Sequence, residues 1–205
     1  MDVPPISYVR HSMAVPDDTL HPTEWVLDGA GRVDADELAR RLEVAPAIGV
    51  LVSSTEPKAM GTAEVIGRRW GADVRPDDRL REATRPWVGP GYRAVAHRYL
   101  RGDAINGWEP HADVAARAES VVQDALADAH GRPVVVVTHG LVLAVHLQTR
   151  LGAGFDAESF WSCLAFPDAW ALDDAGLLHR PLVALDSRRI DVLARDTAEG
   201  SANRP

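Results

Sequence analysis

The chain alternates between two hydrophobic patterns, which together predict its secondary structure. Residues 6–9 are a first strand candidate, and the short continuous apolar runs at residues 48–52 and 134–137 are typical of strands buried on both faces of a parallel sheet. In the segments between them, apolar residues recur three or four positions apart, which predicts helices. The predicted helices span 33–42, 56–70, 92–100, 113–129 and 140–151, and further strands are predicted at 72–75, 164–172 and 177–184. Thr55 is expected to cap the helix that starts at residue 56.

This alternation of strands and helices indicates the fold class. Strand–helix–strand units make right-handed crossovers and build sheets that carry helices on both faces. We therefore expect an α/β protein, a three-layer α/β/α sandwich with a mainly parallel central sheet. Residues 1–194 are expected to form one domain with an irregular lid region at about 83–112, because no Pro/Gly/Ser-rich linker divides them. Residues 195–205 are small, polar and aperiodic, and are expected to be a disordered tail.

Composition excludes several classes of protein. The chain has 205 residues, 46% of them apolar, and a core of that size needs no metal or disulfide to fold. Its single cysteine, Cys163, excludes a disulfide framework and a cysteine-based zinc cluster. No apolar run is long enough to span a bilayer and no signal peptide is visible, so we expect a cytoplasmic protein. The net charge of −8 argues against nucleic acid or a membrane surface as the main partner.

Residues that can carry positive charge follow three of the predicted buried strands. Arg10 and His11 follow the first strand, Lys58 lies in the first helical turn after the second, and His139 follows the valine strand. Taken singly, these are ordinary packed histidines and a solvated lysine. Ligands of parallel sheets bind beyond the carboxyl ends of the strands, where these side chains are expected to converge. In an acidic protein, such a cluster predicts a phosphate-sized anion site.

Lys58 has a further distinction, because it is the only lysine among the 22 lysine and arginine residues. A cation in the first turn of a helix opposes the helix dipole unless an anion binds there. We interpret this lysine as selected, in a chain that otherwise uses arginine. A lysine in a first helical turn is expected to pack against little.

Four segments of the chain resemble motifs of the histidine phosphatase superfamily, in its phosphoglycerate-mutase-like branch. Arg10-His11-Ser12 resembles the family's Arg-His-Gly, and residues 53–64 resemble its Ser-Ser-Pro-Leu-x-Arg-Ala-x-Gln-Thr-Ala-Glu. Leu80-Arg81-Glu82, with residues 87–89, resembles its Leu-x-Glu and Trp-Glu-Gly segment, and residues 134–140 resemble its second-histidine strand. The order and spacing also agree, over roughly residues 5–175.

The resemblance implies a metal-independent phosphatase that needs no cofactor and acts on a small phosphomonoester. It makes His11 the nucleophile, which forms a phosphohistidine, and Glu82 the acid that protonates the leaving oxygen. Glu82 would then activate the water that hydrolyses the intermediate. The residues expected to bind the phosphoryl group or the substrate are Arg10, Ser12, Lys58, Arg81, His139 and Gly140.

Two departures from the family pattern leave alternatives open. Ser12 stands where the family has glycine, and Lys58 stands where it has arginine. Arginine binds phosphate through a planar fork, whereas lysine is a point charge with three rotatable donors. The alternatives are a protein phosphatase acting on phosphohistidine, and a catalytically weakened regulator that binds phosphate or a phosphometabolite. The sequence does not indicate an oligomeric state.

Overall fold

The strands and helices follow one another largely as the sequence predicts. The computed structural model describes residues 6–17, 19–42, 44, 47–86, 88–173 and 176–180. The strands in these ranges are β1 (Ile6–Arg10), β2 (Val50–Ser53), β3 (Val74–Pro76), β4 (Val134–Thr138), β5 (Asp168–Leu172) and β6 (Leu178–His179). The helices are α1 (Gly29–Arg41), α2 (Pro57–Trp70), α3 (Tyr92–Leu100), α4 (His111–Ala129), α5 (Gly140–Leu151) and α6 (Ala157–Cys163).

All six strands join in one sheet with the order β3-β2-β4-β1-β5-β6. β4 lies between β1 and β2 and runs parallel to both, and β3 is parallel to β2. β5 is antiparallel to β1, and β6 is antiparallel to β5. The predicted mainly parallel sheet is therefore confirmed. Because β1, β2 and β4 are parallel neighbours, their carboxyl ends lie at the same edge.

The consecutive valines of β4 divide the core between the two faces of the sheet. Val135 and Val137 belong to a buried cluster that includes side chains of α1 and α2. Val134 and Val136 belong to a second cluster, formed with side chains of α3, α4, α5 and α6. Side chains of a strand alternate between faces, so a strand covered by helices on both sides is apolar at every position. This accounts for the unbroken valine run and for the three layers.

Two local predictions from the sequence are wrong. Thr55 does not cap α2; its Oγ1 donates to the Asp78 carboxylate at 3.0 Å, and the cap position is Glu56. The strand predicted at 164–172 begins only at Asp168, after the unpredicted helix α6. Asp156 starts α6 by accepting a hydrogen bond from the Ser159 backbone at 3.0 Å.

Several expectations fall outside the described residues. They are the end of the predicted last strand at 181–184, the tail at 195–205, and position 87 of the predicted lid region. Within the rest of that region, α3 spans the range that the sequence predicts. No helix in the described ranges has the length and apolar character needed to cross a membrane.

Gly31 fixes the distance between α1 and the loop that follows β1. A Cβ built on Gly31 would lie 2.5 Å from the Met13 carbonyl oxygen, which is closer than real Cβ atoms approach. We therefore expect Gly31→Ala to lower the free energy of unfolding by about 1–3 kcal/mol, the usual range for overpacking. Gly29→Ala, in the first turn of the same helix, meets nothing within 4 Å and is the matched control. Urea denaturation of both variants tests this, and equal midpoints would contradict it.

Candidate active site

His11 directly follows β1, and one of its ring nitrogens forms a hydrogen bond within the protein. Its backbone N–H donates to the Thr138 carbonyl at 3.0 Å, which ties it to the end of β4. Its Nδ1 lies 2.7 Å from the Ser12 carbonyl oxygen. Because a carbonyl only accepts hydrogen bonds, Nδ1 carries the proton in this contact and Nε2 keeps its lone pair.

The surroundings of His11 favour the neutral ring. Burial is the main cause that lowers its pKa, to about 3, and the charges of Lys58 and Arg10 act in the same direction. The hydrogen bond to the Ser12 carbonyl opposes this shift. At neutral pH the imidazole is therefore uncharged, which is the form that a nucleophile needs.

Arg10 ends β1 and is held from two sides. Its Nη1 donates to the Leu164 carbonyl at 3.0 Å, and its guanidinium carbon lies 3.4 Å from the centre of the Phe166 ring. Burial lowers its pKa to about 10, so the group remains a cation at neutral pH. A Cβ built on Gly140 would lie 3.3 Å from this guanidinium carbon and 3.1 Å from the Trp161 ring nitrogen. Glycine at this position therefore leaves room for Arg10.

His139 lies between β4 and α5, next to His11. The two ring centres are 5.0 Å apart in an edge-on arrangement. Its Nε2 lies 2.9 Å from Ser54 Oγ, and its buried Nδ1 has no hydrogen-bond partner among the described residues. Burial is the main cause that lowers the pKa of His139 well below its ordinary value, and nearby cations add to it. The second histidine is therefore also neutral.

Lys58 is buried and paired, which corrects the expectation that it packs against little. Its side chain forms an ion pair with the Glu56 carboxylate, and its Nζ donates to the Pro22 carbonyl at 2.7 Å. Lys58 and Glu56 are each 7% exposed. An internal counterion of this kind compensates part of the cost of burying the ammonium.

Glu56 is a residue of this site that the sequence analysis does not predict. Its Oε1 accepts the backbone N–H of Glu82 at 2.7 Å and lies 3.6 Å from His139 Nε2. A signal was present in the sequence. Glu56 stands where the motif quoted above has leucine, two residues before the lone lysine.

Glu82 is carried by a loop that is fastened at both ends. Thr138 Oγ1 donates to the Leu80 carbonyl at 2.6 Å, which attaches the loop to the end of β4. Arg117, on α4, donates to the Arg81 carbonyl at 2.7 Å and forms an ion pair with Glu109 at 2.8 Å. The Glu82 side chain accepts from the Ala83 backbone at 3.0 Å and lines the same cavity as His11.

Ser12 and Arg81 are not brought to the cavity wall. Ser12 is fully buried; its backbone donates to Thr62 Oγ1 at 2.9 Å, and its hydroxyl has no partner in the described part of the chain. Arg81 Nη2 lies 3.5 Å from a Glu109 oxygen instead. Arg85, which the sequence analysis did not select, lines the cavity.

The remaining predicted residues meet around one cavity of about 240 Å³ at this edge of the sheet. Arg10, His11, Lys58, Glu82 and Gly140 line it, together with Glu56 and Arg85. His139 is not one of the lining residues, but its ring centre lies 5.0 Å from that of His11. No group of three or more His, Cys, Asp or Glu side chains suited to a metal ion occurs within the described ranges. The cavity wall therefore combines the neutral His11 ring with two glutamates and three basic side chains.

The fold and the cavity together define an α/β protein with a cavity at the carboxyl edge of its sheet, lined by His11 and by basic and acidic side chains. A sequence profile of the histidine phosphatase superfamily (branch 1) matches residues 9–166. The chain belongs to this family.

The individual proteins to which this chain is similar include a mycobacterial phosphatase. The chain is 36% identical over 142 residues to glucosyl-3-phosphoglycerate phosphatase of Mycobacterium tuberculosis, a match that covers 56% of this chain. It spans only 63% of that relative's length. The native structure of the mycobacterial phosphatase is similar with a TM-score of 0.63 and 24% identity, covering 92% of this chain and 97% of that one. Its complex with inorganic phosphate gives a TM-score of 0.60 at 27% identity, with coverages of 81% and 88%.

The neutral state of His11 has a measurable consequence for titration. Its pKa is lowered from 6.5 to about 3, so the folded protein takes up this proton only at much lower pH than the unfolded chain. Between these two pH values the unfolded state binds more protons, so stability decreases as pH falls from about 6.5 towards 3. Nitrogen chemical shifts of the His11 ring should report the neutral form down to pH 5, whereas the urea-unfolded protein should titrate near 6.5. A midpoint near 6.5 in the folded protein would contradict this.

Proposed function

We propose that this protein is a metal-independent phosphatase that hydrolyses a small phosphomonoester through a phosphohistidine on His11. The observation that carries the proposal is the tautomer of His11, in which Nδ1 carries the proton and Nε2 is free. Nδ1 is held by the Ser12 carbonyl, the pKa is low, and the ring lines a cavity that also contains Arg10 and Lys58. A neutral histidine with a free Nε2 beside two cations suits attack on a phosphoryl group.

In the first step, His11 Nε2 forms a bond to phosphorus and the ester P–O bond breaks. Glu82 gives its proton to the leaving oxygen, so that a neutral alcohol departs. Arg10 and Lys58 offset the charge on the phosphoryl oxygens during transfer. We assign to His139, whose ring centre lies 5.0 Å from that of His11, a hydrogen bond to the same group.

In the second step, Glu82 accepts a proton from a water molecule that attacks the phosphohistidine. The P–N bond breaks, phosphate leaves, and the electron pair returns to His11 Nε2. The carboxyl is then protonated again, ready for the next substrate. The hydrogen bonds of the Leu80 and Arg81 carbonyls and of the Glu82 N–H support this role, because they hold the loop that carries Glu82. Glu82 lines the same cavity as His11.

The relatives support the same chemistry. The mycobacterial glucosyl-3-phosphoglycerate phosphatase has been solved as a complex with VO3, and this chain is similar to it with a TM-score of 0.61 and 25% identity. Vanadate and phosphate have related shapes and charges, so both suit a phosphoryl-transfer site. A phosphate-binding regulator is the second candidate, favoured by the pairing of Lys58 with Glu56. Turnover of p-nitrophenyl phosphate in the presence of EDTA separates the two functions.

Replacing the nucleophile should abolish the intermediate. We expect His11→Ala to reduce turnover to background, because His21, the other histidine among the described residues that line this cavity, is exposed and its Nδ1 contacts Thr23. Rapid quench with a radiolabelled substrate should give an acid-labile phosphoryl group on the wild type alone. His130→Asn is the control, because His130 is exposed at the far end of α4 and asparagine tolerates its positive φ. A labelled His11→Ala protein would overturn the assignment.

Replacing the acid should matter most for poor leaving groups. We expect Glu82→Gln to slow the hydrolysis of alkyl phosphates by roughly two to four orders of magnitude, the usual range for a general acid. The loss should be smaller for p-nitrophenyl phosphate, because its leaving group needs less protonation. Steady-state kinetics on both esters provides the test. Equal losses would show that Glu82 does not protonate the leaving oxygen.

A further inference from the structure

The charges that face the cavity are unusually balanced for a phosphate site. Among the described lining residues, Arg10, Lys58 and Arg85 are cations, and Glu56 and Glu82 are the acidic side chains. His11 is neutral, and Glu82 enters the first step of the proposed reaction protonated, so three positive charges and one negative charge face a bound ester. The difference of two positive charges only equals the two negative charges of an ionised phosphomonoester. Once a phosphate group is bound, the site has no excess positive charge for a second anion.

The cations are also engaged in hydrogen bonds within the protein. Lys58 pairs with Glu56 and donates to the Pro22 carbonyl. Arg85, the cation of the rim, donates to the Ala83 carbonyl at 3.0 Å and to the Tyr92 hydroxyl at 3.2 Å. A carboxylate on the substrate would have to displace one of these contacts or remain unpaired, and an unpaired anion in a partly desolvated cavity is costly.

The rest of the cavity wall is largely apolar. It contains Met13, Pro16, Pro22, Trp25, Pro86 and Phe166. Polar groups on the same side contact each other, since His21 Nδ1 lies 2.8 Å from Thr23 Oγ1. At about 240 Å³ the cavity falls below the range of about 300–1,000 Å³ for drug-sized ligands. It suits a phosphoryl group with a compact leaving group.

From these observations we infer that the site selects phosphomonoesters of small apolar alcohols without a second anionic group, and that Glu56 sets this selectivity by occupying Lys58. The inference rests on the proposed function and deepens it. It also separates this chain from its mycobacterial relative, whose named substrate is a phosphoglycerate derivative. Leucine at position 56, as in the quoted family motif, would leave Lys58 free to meet a second anion.

The test uses three primary alkyl phosphates with leaving groups of similar reactivity. Glycerol 3-phosphate and 3-phosphoglycerate have similar size, but only the second carries a carboxylate. Benzyl phosphate replaces the polar glycerol group by an apolar ring. For the full wild-type chain we expect kcat/KM to fall by about tenfold or more from benzyl phosphate to glycerol 3-phosphate, and again to 3-phosphoglycerate. A wild type that prefers 3-phosphoglycerate over glycerol 3-phosphate would overturn the inference, whatever the variants do.

Glu56→Gln tests the role of the carboxylate. Glutamine keeps an oxygen for the Glu82 backbone N–H but removes the negative charge from Lys58. We expect the kcat/KM ratio of 3-phosphoglycerate to glycerol 3-phosphate to rise by about tenfold, while the ratio of benzyl phosphate to glycerol 3-phosphate stays constant. Glu64→Gln, the same change at an exposed position of α2, should alter neither ratio. An unchanged carboxylate ratio in Glu56→Gln would show that Glu56 does not set the selectivity.

Met13→Gln tests the apolar wall independently of charge. Met13 lines the cavity and is 51% exposed, whereas the nearby Val15 is 44% exposed and is not part of the wall. We expect Met13→Gln, but not Val15→Gln, to lower the ratio of benzyl phosphate to glycerol 3-phosphate by about threefold. Equal ratios in both variants and the wild type would contradict the role of this wall.

Failure of the inference is distinguishable from failure of the proposed function. If the wild type forms phosphohistidine and turns over esters in another order of preference, the selectivity is wrong and the phosphatase stands. If it neither turns over any of the three esters nor labels His11 with p-nitrophenyl phosphate, both are wrong.

Discussion

Parallel pairing of β4 with both β1 and β2 is the constraint on which the candidate site depends. It places the carboxyl ends of three strands side by side, and two backbone hydrogen bonds then extend the pairing beyond the strands. The His11 N–H donates to the Thr138 carbonyl at 3.0 Å, and the Ser54 N–H donates to the Val137 carbonyl at 2.9 Å. The polar segments directly after the strands are thus held in place by hydrogen bonds that continue the pairing of the sheet. His11, Ser54 and His139 are therefore buried together at this edge of the sheet.

Burial on this rigid edge then determines the electrostatics. Desolvation lowers the pKa of His11 and of His139 more than any single neighbouring charge does. A cluster that looks cationic in the sequence is accordingly two neutral rings beside Arg10 and Lys58. The protein as a whole has a net charge of −8, so long-range attraction does not favour an anionic substrate. Recognition must come from short-range donors inside the cavity, where the low effective dielectric strengthens them.

The sequence could predict the backbone of this site better than its side-chain contacts. The mostly apolar segments 6–9, 48–52 and 134–137 reveal β1, β2 and β4, because strands covered on both faces are largely apolar. The residues that follow these segments in the sequence are then placed at the edge of the sheet. Side-chain direction has no such signature: Arg81 and Arg85 are both loop arginines, and only packing against Glu109 and Tyr92 separates their roles. Helix α6 is seven residues long, too short for a clear period. The sequence did not predict the role of Glu56, because a carboxylate that follows a strand ordinarily lies on the surface.

The Glu56 contact also gives a physical reason for the lone lysine. An arginine at position 58 beside this carboxylate would favour a bidentate pair, in which its planar fork is committed to Glu56. The ammonium of Lys58 has three donors that rotate about one centre. One meets the Glu56 carboxylate and a second meets the Pro22 carbonyl. In the proposed function the third would meet a phosphoryl oxygen, since Lys58 lines the cavity. With a carboxylate at position 56, lysine is therefore the cation that can form hydrogen bonds within the protein and still offer a donor to a ligand in the cavity.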